Sequence, residues 1–191
     1  NDPEYTNIVL TGDVHTANQH AAGLQTRDQA KTFIYAFLYG AGAAKIGKVV
    51  GGTAKHGQQL ITRFLNNMPA LKHLRMLVSK EAAGDTIKAL DGRLLHIRSE
   101  HAALNTLLQG AGAIVCKQWL VHIMERVIKA KLDARLVASI HDEYQFEVAI
   151  PDIERFCRLT KEAMTQTTKT LKMKCELDCD YKVGKTWADT H

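Results

Sequence analysis

The sequence predicts an α+β protein, helical over residues 1–82 and mixed over 83–191. Three observations carry that prediction. Only three prolines, Pro3, Pro69 and Pro151, interrupt 191 residues, and aromatics make up 6%, which disfavours a many-stranded all-β fold. The first 82 residues are punctuated by helix caps and glycines. Beyond Gly84, pairs of short apolar runs flank turn-forming residues twice.

Taken in order, Asp13 is placed to cap a helix that begins near Val14 and ends at Gly23. Thr26 is a good N-cap for a second helix, from Arg27 to about Gly40. Gly40, Gly42, Gly47, Gly51 and Gly52 then predict short turns, and another helix covers roughly Lys55 to Asn67. Pro69 falls in the first turn of its successor, where a missing N–H costs nothing. Ile87–Leu90 and Leu94–Ile97 flank Asp91-Gly92, a strong hairpin signal. A long helix is expected from about Ser99 to Lys131. Strand-like runs at Leu136–Ile140 and Tyr144–Ile150 then flank His141-Asp142-Glu143. In the second run Tyr144, Phe146, Val148 and Ile150 alternate with Gln145, Glu147 and Ala149, the period of a half-buried strand. Pro151 opens a helix to about Leu171, and a short strand is expected around Lys174–Leu177, before an irregular tail.

Composition narrows the class. A hydrophobic fraction of 46% with 24% charged residues excludes intrinsic disorder, and the length allows one large or two small domains. Twenty-five Lys and Arg against twenty Asp and Glu leave a net charge of +5, compatible with a polyanionic partner. No apolar run approaches the ~20 residues of a membrane span, and no signal peptide is visible. Four cysteines are too few for a disulfide scaffold of this size, which points to reduced thiols in a cytoplasmic compartment.

The helix from Arg27 carries the first chemical signal. Arg27, Lys31, Tyr35 and Tyr39 recur every four residues, each about 40° round from the last, while Ala30, Phe33, Ile34, Phe37 and Leu38 fall mainly on the opposite side. Two cations therefore sit at the positive end of the helix dipole, followed by two aromatic rings. An anion held there gains from the cations, the dipole and the free N–H groups together, and the rings offer faces for a base or sugar. A nucleoside triphosphate has that polarity. The simpler alternative is an amphipathic helix with solvated cations and tyrosines at its rim.

Between the last two strand-like runs, Asp142 and Glu143 would stand at a hairpin tip. Mg²⁺ takes carboxylate oxygens and keeps positions open for water and phosphate. Two-metal phosphoryl transfer needs a further bridging carboxylate from another segment. A solvated polar turn is the alternative. In the long helix, Asn105 and Gln109 form an amide pair four residues apart among apolar neighbours, suited to the acceptors of a DNA minor groove or to local backbone groups. His15, after Asp13, could donate to an anion.

Together these segments resemble family A DNA polymerases, the class of bacterial DNA polymerase I. Arg27-x3-Lys31-x3-Tyr35-x3-Tyr39-Gly40 resembles motif B of the fingers, and Ser139-Ile140-His141-Asp142-Glu143 resembles motif C of the palm. Ala103-Leu104-Asn105-x3-Gln109-Gly110 resembles the intervening palm helix, and Gly12-Asp13-Val14-His15-Thr16 the segment that opens the fingers. Leu38-Tyr39-Gly40-Ala41-Gly42, Leu90-Asp91-Gly92-Arg93 and the terminal Trp187…His191 most resemble the replicative polymerases of short-tailed phages.

The resemblance implies a fingers subdomain over 1–82 and the C-terminal part of a palm, with an antiparallel sheet, over 83–191. It implies that His15, Arg27, Lys31, Tyr35 and Tyr39 bind the incoming dNTP, with Lys31 stabilising the leaving pyrophosphate. It implies that Tyr35 lies against the sugar, a hydroxylated ring there meaning weak rejection of dideoxynucleotides, and that Tyr39 stacks near the templating base. Asn105 and Gln109 would contact the primer–template minor groove and His141 the primer end. Asp142 would ligate Mg²⁺, supported by Glu143. The family also uses a second Asp, in motif A (Asp-x-Ser-x-x-Glu), which is not found between Asn1 and the fingers segment, nor is a thumb or a 3′–5′ exonuclease. The expectation is that this chain alone does not polymerise and acts with a second polypeptide or segment carrying the thumb and motif A. The alternative is a non-catalytic nucleic-acid-binding module derived from such a polymerase.

Overall fold

A computed structural model describes residues 2–190; Asn1 and His191, the last residue of the phage-like terminal segment, lie outside the described residues. The fold is α+β. Nine α-helices and two separate two-stranded antiparallel sheets are described, in the order α1 (Pro3–Thr11), α2 (Val14–Ala22), α3 (Arg27–Leu38), α4 (Ala43–Val49), α5 (Ala54–Asn67), α6 (Pro69–Ala82), β1 (Thr86–Lys88), β2 (Leu94–His96), α7 (Ala103–Ala130), β3 (Ala134–Ile140), β4 (Glu143–Val148), α8 (Ile153–Thr170) and α9 (Trp187–Thr190). They form two compact units, Asn1–Gly110 and Ala111–His191, whose boundary falls within α7. The change of sequence texture, near Gly84, comes earlier, where the helices give way to β1.

Local signals explain most of the first unit. The Asp13 side chain caps α2 by accepting from the His15 N–H, and Gly23 ends the helix in a left-handed conformation. Thr26 and Gln29 cap α3 reciprocally, satisfying two donors that the helix start leaves open. Pro69 occupies the first position of α6. The buried faces of α2, α3, α4 and α5 meet around Phe33, Phe37 and Phe64, whose rings lie 5.2 to 6.0 Å apart, joined by Ala22, Ile34, Ile46, Leu60, Ile61 and Leu104. A smaller cluster of Val78, Ala82, Ile87, Ile97 and Ala103 seats the β1–β2 hairpin.

The glycine-rich stretch after α3 departs from expectation. Rather than turns alone, it contains α4, a seven-residue helix with no side-chain cap at Gly42. What holds α4 is backbone-to-backbone packing on α5. A Cβ on Gly57 would lie 2.0 Å from the Ala43 carbonyl oxygen, and one on Gly47 would lie 2.1 Å from that of Thr53. The glycines that read as breaks therefore let two helices approach closely. The β1–β2 turn also differs in detail: Ala89 N–H donates to the Arg93 carbonyl, and only Gly92 (φ +88°) has positive φ within the loop. It is a three-residue loop, not a two-residue Asp-Gly turn.

In the second unit, Trp119, Ile123 and Val127 of α7 pack with Leu132, Ala134, Phe156, Ala163 and Met164. The Trp119 indole N–H donates to the buried Thr160 carbonyl at 2.9 Å. The β3–β4 hairpin closes through Ile140↔Glu143, and a bulge at Val137 leaves that side chain 66% exposed. Alternation holds for Tyr144, Phe146 and Val148, which pack on the core. Ile150 breaks it, lying 84% exposed in a 3₁₀ turn, Ile150–Asp152, that precedes α8. No strand forms at 174–177. The Leu177 N–H bonds instead to the Thr168 hydroxyl on α8, which removes it from any ladder. Cys116, Cys157, Cys175 and Cys179 are all free thiols.

Candidate functional site

Five candidate site residues of the first unit, His15, Arg27, Lys31, Tyr35 and Tyr39, gather on α3 and at the start of α2, while Asn105 and Gln109 stand on α7. The four-residue spacing gives the expected face: Arg27 and Lys31 are exposed, and Tyr35 and Tyr39 are 48% and 59% exposed. Ala30, Phe33, Ile34 and Phe37 are buried behind them. Tyr39 closes the helix as its C-cap. His15, in the first turn of α2, sets its ring 6.3 Å from that of Tyr35, so the two helices bring these side chains together. The His15 Nδ1 atom is buried and has no hydrogen-bond partner among the described residues.

Arg27 carries a contact that its sequence spacing did not announce. Its Nε donates to Asp13 Oδ2 at 2.6 Å and its Nη2 to Asp13 Oδ1 at 3.2 Å. The guanidinium holds the Asp13 carboxyl well below the usual carboxylate range, helped by the Thr16 hydroxyl. Fourteen residues separate the partners, and no periodic pattern links them.

Charge on this unit is concentrated. Residues 29–80 contain eight Lys and Arg, all exposed, and no Asp or Glu. The other 139 residues carry 17 Lys and Arg against 20 Asp and Glu, so the basic excess of the chain belongs to α3 through α6. None of the described ion pairs involves residues 29–80. A groove of about 470 Å³ beside this region is lined by Lys72 and Arg75, by the polar Gln58, Thr62 and Asn66, by apolar residues including Phe37 and Ile61, and by the acidic Glu100. Arg75 lies 5.4 Å from the centre of the Phe37 ring, within cation–π range. Asn105 is half-buried and Gln109 exposed, one turn apart on α7.

In the second unit, His141 and Asp142 form the exposed two-residue tip of the β3–β4 hairpin, with His141 in a left-handed conformation (φ +51°). Glu143, the first residue of β4, is half-buried, and its carboxylate accepts a hydrogen bond from the Gln145 amide. Burial raises the Cys116 thiol pKa, and the negative charge of Asp142 raises it further, so the hairpin tip is electrostatically coupled to α7.

A family model described as DNA polymerase family A matches residues 9–189. The chain belongs to DNA polymerase family A. It is 42% identical to the DNA-directed DNA polymerases of Enterobacteria phage T3 and Escherichia phage T7, over 98% of this chain and 30% of each relative. It is 27% identical to DNA polymerase I of Geobacillus stearothermophilus over 93% of this chain and 21% of that protein. The chain thus spans less than a third of the length of these curated relatives. Among solved structures, the POL domain of Pol1 from M. smegmatis in complex with DNA primer-template and dNTP shares the fold. Its TM-score is 0.77 at 20% identity, over 87% of this chain and 33% of that one.

Family A polymerases are metal-dependent, which makes the donor set of this chain informative. Among the described residues no three His, Cys, Asp or Glu side chains come together as a metal site. Asp142 offers an exposed carboxylate, whereas Glu143 is engaged by Gln145. These residues fit one edge of a Mg²⁺ site and not the whole of it.

Proposed function

We propose that the chain is the fingers (1–82) and the C-terminal part of the palm (83–191) of a DNA-directed DNA polymerase. The observation that carries this reading is the exposed face of α3, in which two cations at the helix start are followed at helical spacing by two tyrosines. Arg27, Lys31 and His15 bind the triphosphate of a dNTP, Lys31 stabilises the departing pyrophosphate, Tyr35 lies against the sugar and Tyr39 stacks near the templating base. Asn105 and Gln109 contact the minor groove of primer–template DNA, and His141 the primer end. The acid-free surface of residues 29–80 supports a polyanionic partner.

Asp142 ligates Mg²⁺, with Glu143 supporting the site. Bound there, Mg²⁺ would supply neutralisation of phosphate charge and a lower pKa for the attacking hydroxyl. Because one bridging carboxylate is not enough, a second polypeptide or segment supplies the motif A Asp and the thumb. Leu136 and the bulged Val137, apolar side chains left exposed on β3, support a further segment packing there.

The test is primer extension by the enzyme complemented with such a segment. Asp142→Ala abolishes nucleotide addition while leaving primer–template binding largely intact; retained extension refutes the assignment. Robust Mg²⁺-dependent extension by the isolated chain refutes the need for a second segment. Failure of every complementing segment to restore extension, with DNA binding intact, favours a non-catalytic binding module.

A further inference from the structure

The Asp13–Arg27 contact joins the starts of two helices, and its geometry is unusual for an exposed ion pair. Such pairs ordinarily contribute little, because two flexible side chains must be ordered to make them. Here the carboxylate is already ordered. Asp13 Oδ1 accepts from the His15 N–H at 3.0 Å as the N-cap of α2, and Oδ2 accepts from the Thr16 hydroxyl at 2.8 Å. With the two bonds from Arg27, each oxygen has two donors, about the capacity of a carboxylate. Only Arg27 loses freedom when the pair forms.

The atoms used on Arg27 matter more than the pairing itself. A guanidinium has a side edge, Nε with one N–H of Nη2, and an end edge, Nη1 with the other N–H of Nη2. Asp13 takes the side edge. The end edge, able to grip two oxygens of a phosphate, is taken by no described residue, and the side chain is 51% exposed. Arg27 also stands at the first position of α3, where the dipole repels a cation, so without a counter-charge it has no reason to stay over the helix start. The Asp13 carboxylate supplies that counter-charge from the start of α2, two residues before His15, whose ring lies 6.3 Å from that of Tyr35.

We propose that Asp13 is a positioning residue for nucleotide binding: it clamps the side edge of Arg27 so that the end edge is presented to the triphosphate. This rests on the reading of Arg27 as a triphosphate ligand. Asp13 itself touches no nucleotide. It acts by ordering the guanidinium before the nucleotide arrives, so that binding no longer bears the cost of ordering it.

The experiment is titration calorimetry of dATP, in Mg²⁺ buffer, into the full chain and its variants. Asp13→Asn keeps an oxygen to cap α2 and removes the charge that clamps Arg27; Asp13→Ser is a second good cap that lacks the clamp. Circular dichroism establishes that each variant is folded. Both weaken dATP binding about fivefold, the worth of ordering one long side chain, while Arg27→Ala weakens it at least as much. In the Arg27→Ala background, Asp13→Asn has no further effect. Unchanged binding by folded Asp13→Asn and Asp13→Ser overturns the proposal. So does tighter binding, which makes Asp13 a competitor of the triphosphate. An equal loss in the Arg27→Ala background also overturns it, since Asp13 then acts through the cap and His15 alone. If Arg27→Ala binds dATP as wild type does, or if the wild-type chain binds none, the nucleotide reading of α3 fails and the clamp falls with it.

Discussion

Replacing Gly57 with alanine pits two effects against each other, and the structure decides between them. Alanine within a helix is favoured over glycine by about 1 kcal/mol. At this position, however, the new methyl would lie 2.0 Å from the Ala43 carbonyl oxygen and 2.6 Å from the Gly47 nitrogen, against 3.4 Å for an ordinary contact. Both obstacles are backbone, so no side chain can swing away, and α4 must retreat from α5 by roughly 1.4 Å. A gap of 0.5–1 Å already forfeits about a quarter to a half of the dispersion energy of the atoms it separates, and it would open beside Ile46, Leu60 and Ile61. Overpacking costs about 1–3 kcal/mol. With the clash at its most rigid, the strain and lost packing outweigh the propensity gain, leaving Gly57→Ala about 2 kcal/mol less stable.

Urea denaturation followed by far-ultraviolet circular dichroism measures this. Tryptophan fluorescence would miss it, because Trp119 and Trp187 both belong to the second unit. For a slope of about 2 kcal/mol/M, the midpoint falls by about 1 M. Gly112→Ala is the control: no atom stands within 4 Å of its added methyl, so the propensity gain of about 1 kcal/mol is expressed as added stability. Equal or greater stability of Gly57→Ala would refute backbone contact as the cause of the α4–α5 packing.

Four further outcomes are expected. Phe64→Ala, which removes the ring facing both Phe33 and Phe37, costs about 3–5 kcal/mol in the same assay. Thr26→Ala removes the hydroxyl half of the α3 capping box and costs about 1 kcal/mol; measured loss near zero would mean that packing alone fixes the helix start. The Asp13 carboxyl is held below its ordinary value of 3.8, so its contribution is complete above the unfolded carboxylate value and fades as pH falls through the folded one. Asp13→Asn should therefore be less stable than wild type near neutrality and converge on it in strong acid, as thermal unfolding across pH would record. Tyr35→Phe in the complemented enzyme should strengthen discrimination against dideoxynucleotides roughly tenfold or more, the worth of one lost hydrogen bond to a charged group, read by competitive primer extension.

Local chemistry made much of this fold legible in advance. Asp13, Thr26 and Pro69 each satisfy or excuse donors at a helix start, so α2, α3 and α6 begin where those residues stand. Two-residue alternation marked β4 through Val148 for the same reason: each side chain answers to its own strand face. Features set by distant partners were not legible. Glycines at 47 and 57 look like breaks until another backbone is seen pressed against them. Residues 174–177 have strand character but no strand to pair with, and Thr168 takes a donor from them. The α3 stripe was readable because one helix displays all of it, whereas Asp13 as the partner of Arg27 depends on how two helices meet.

The absence of acidic residues from 29 to 80 has a consequence for the stability of the first unit. Eight exposed like charges, with no described ion pair among them, repel one another whenever the unit is compact. Any polyanion that lies across them relieves that repulsion and binds the folded state in preference to the unfolded one. On the proposed function, nucleic acid should then act as a folding ligand: the melting temperature of the chain should rise with it at low salt, and the gain should shrink as counterions take its place. Heparin, which shares the charge and none of the bases, should reproduce the rise, and chain freed from nucleic acid by high salt should melt lower once the salt is dialysed away.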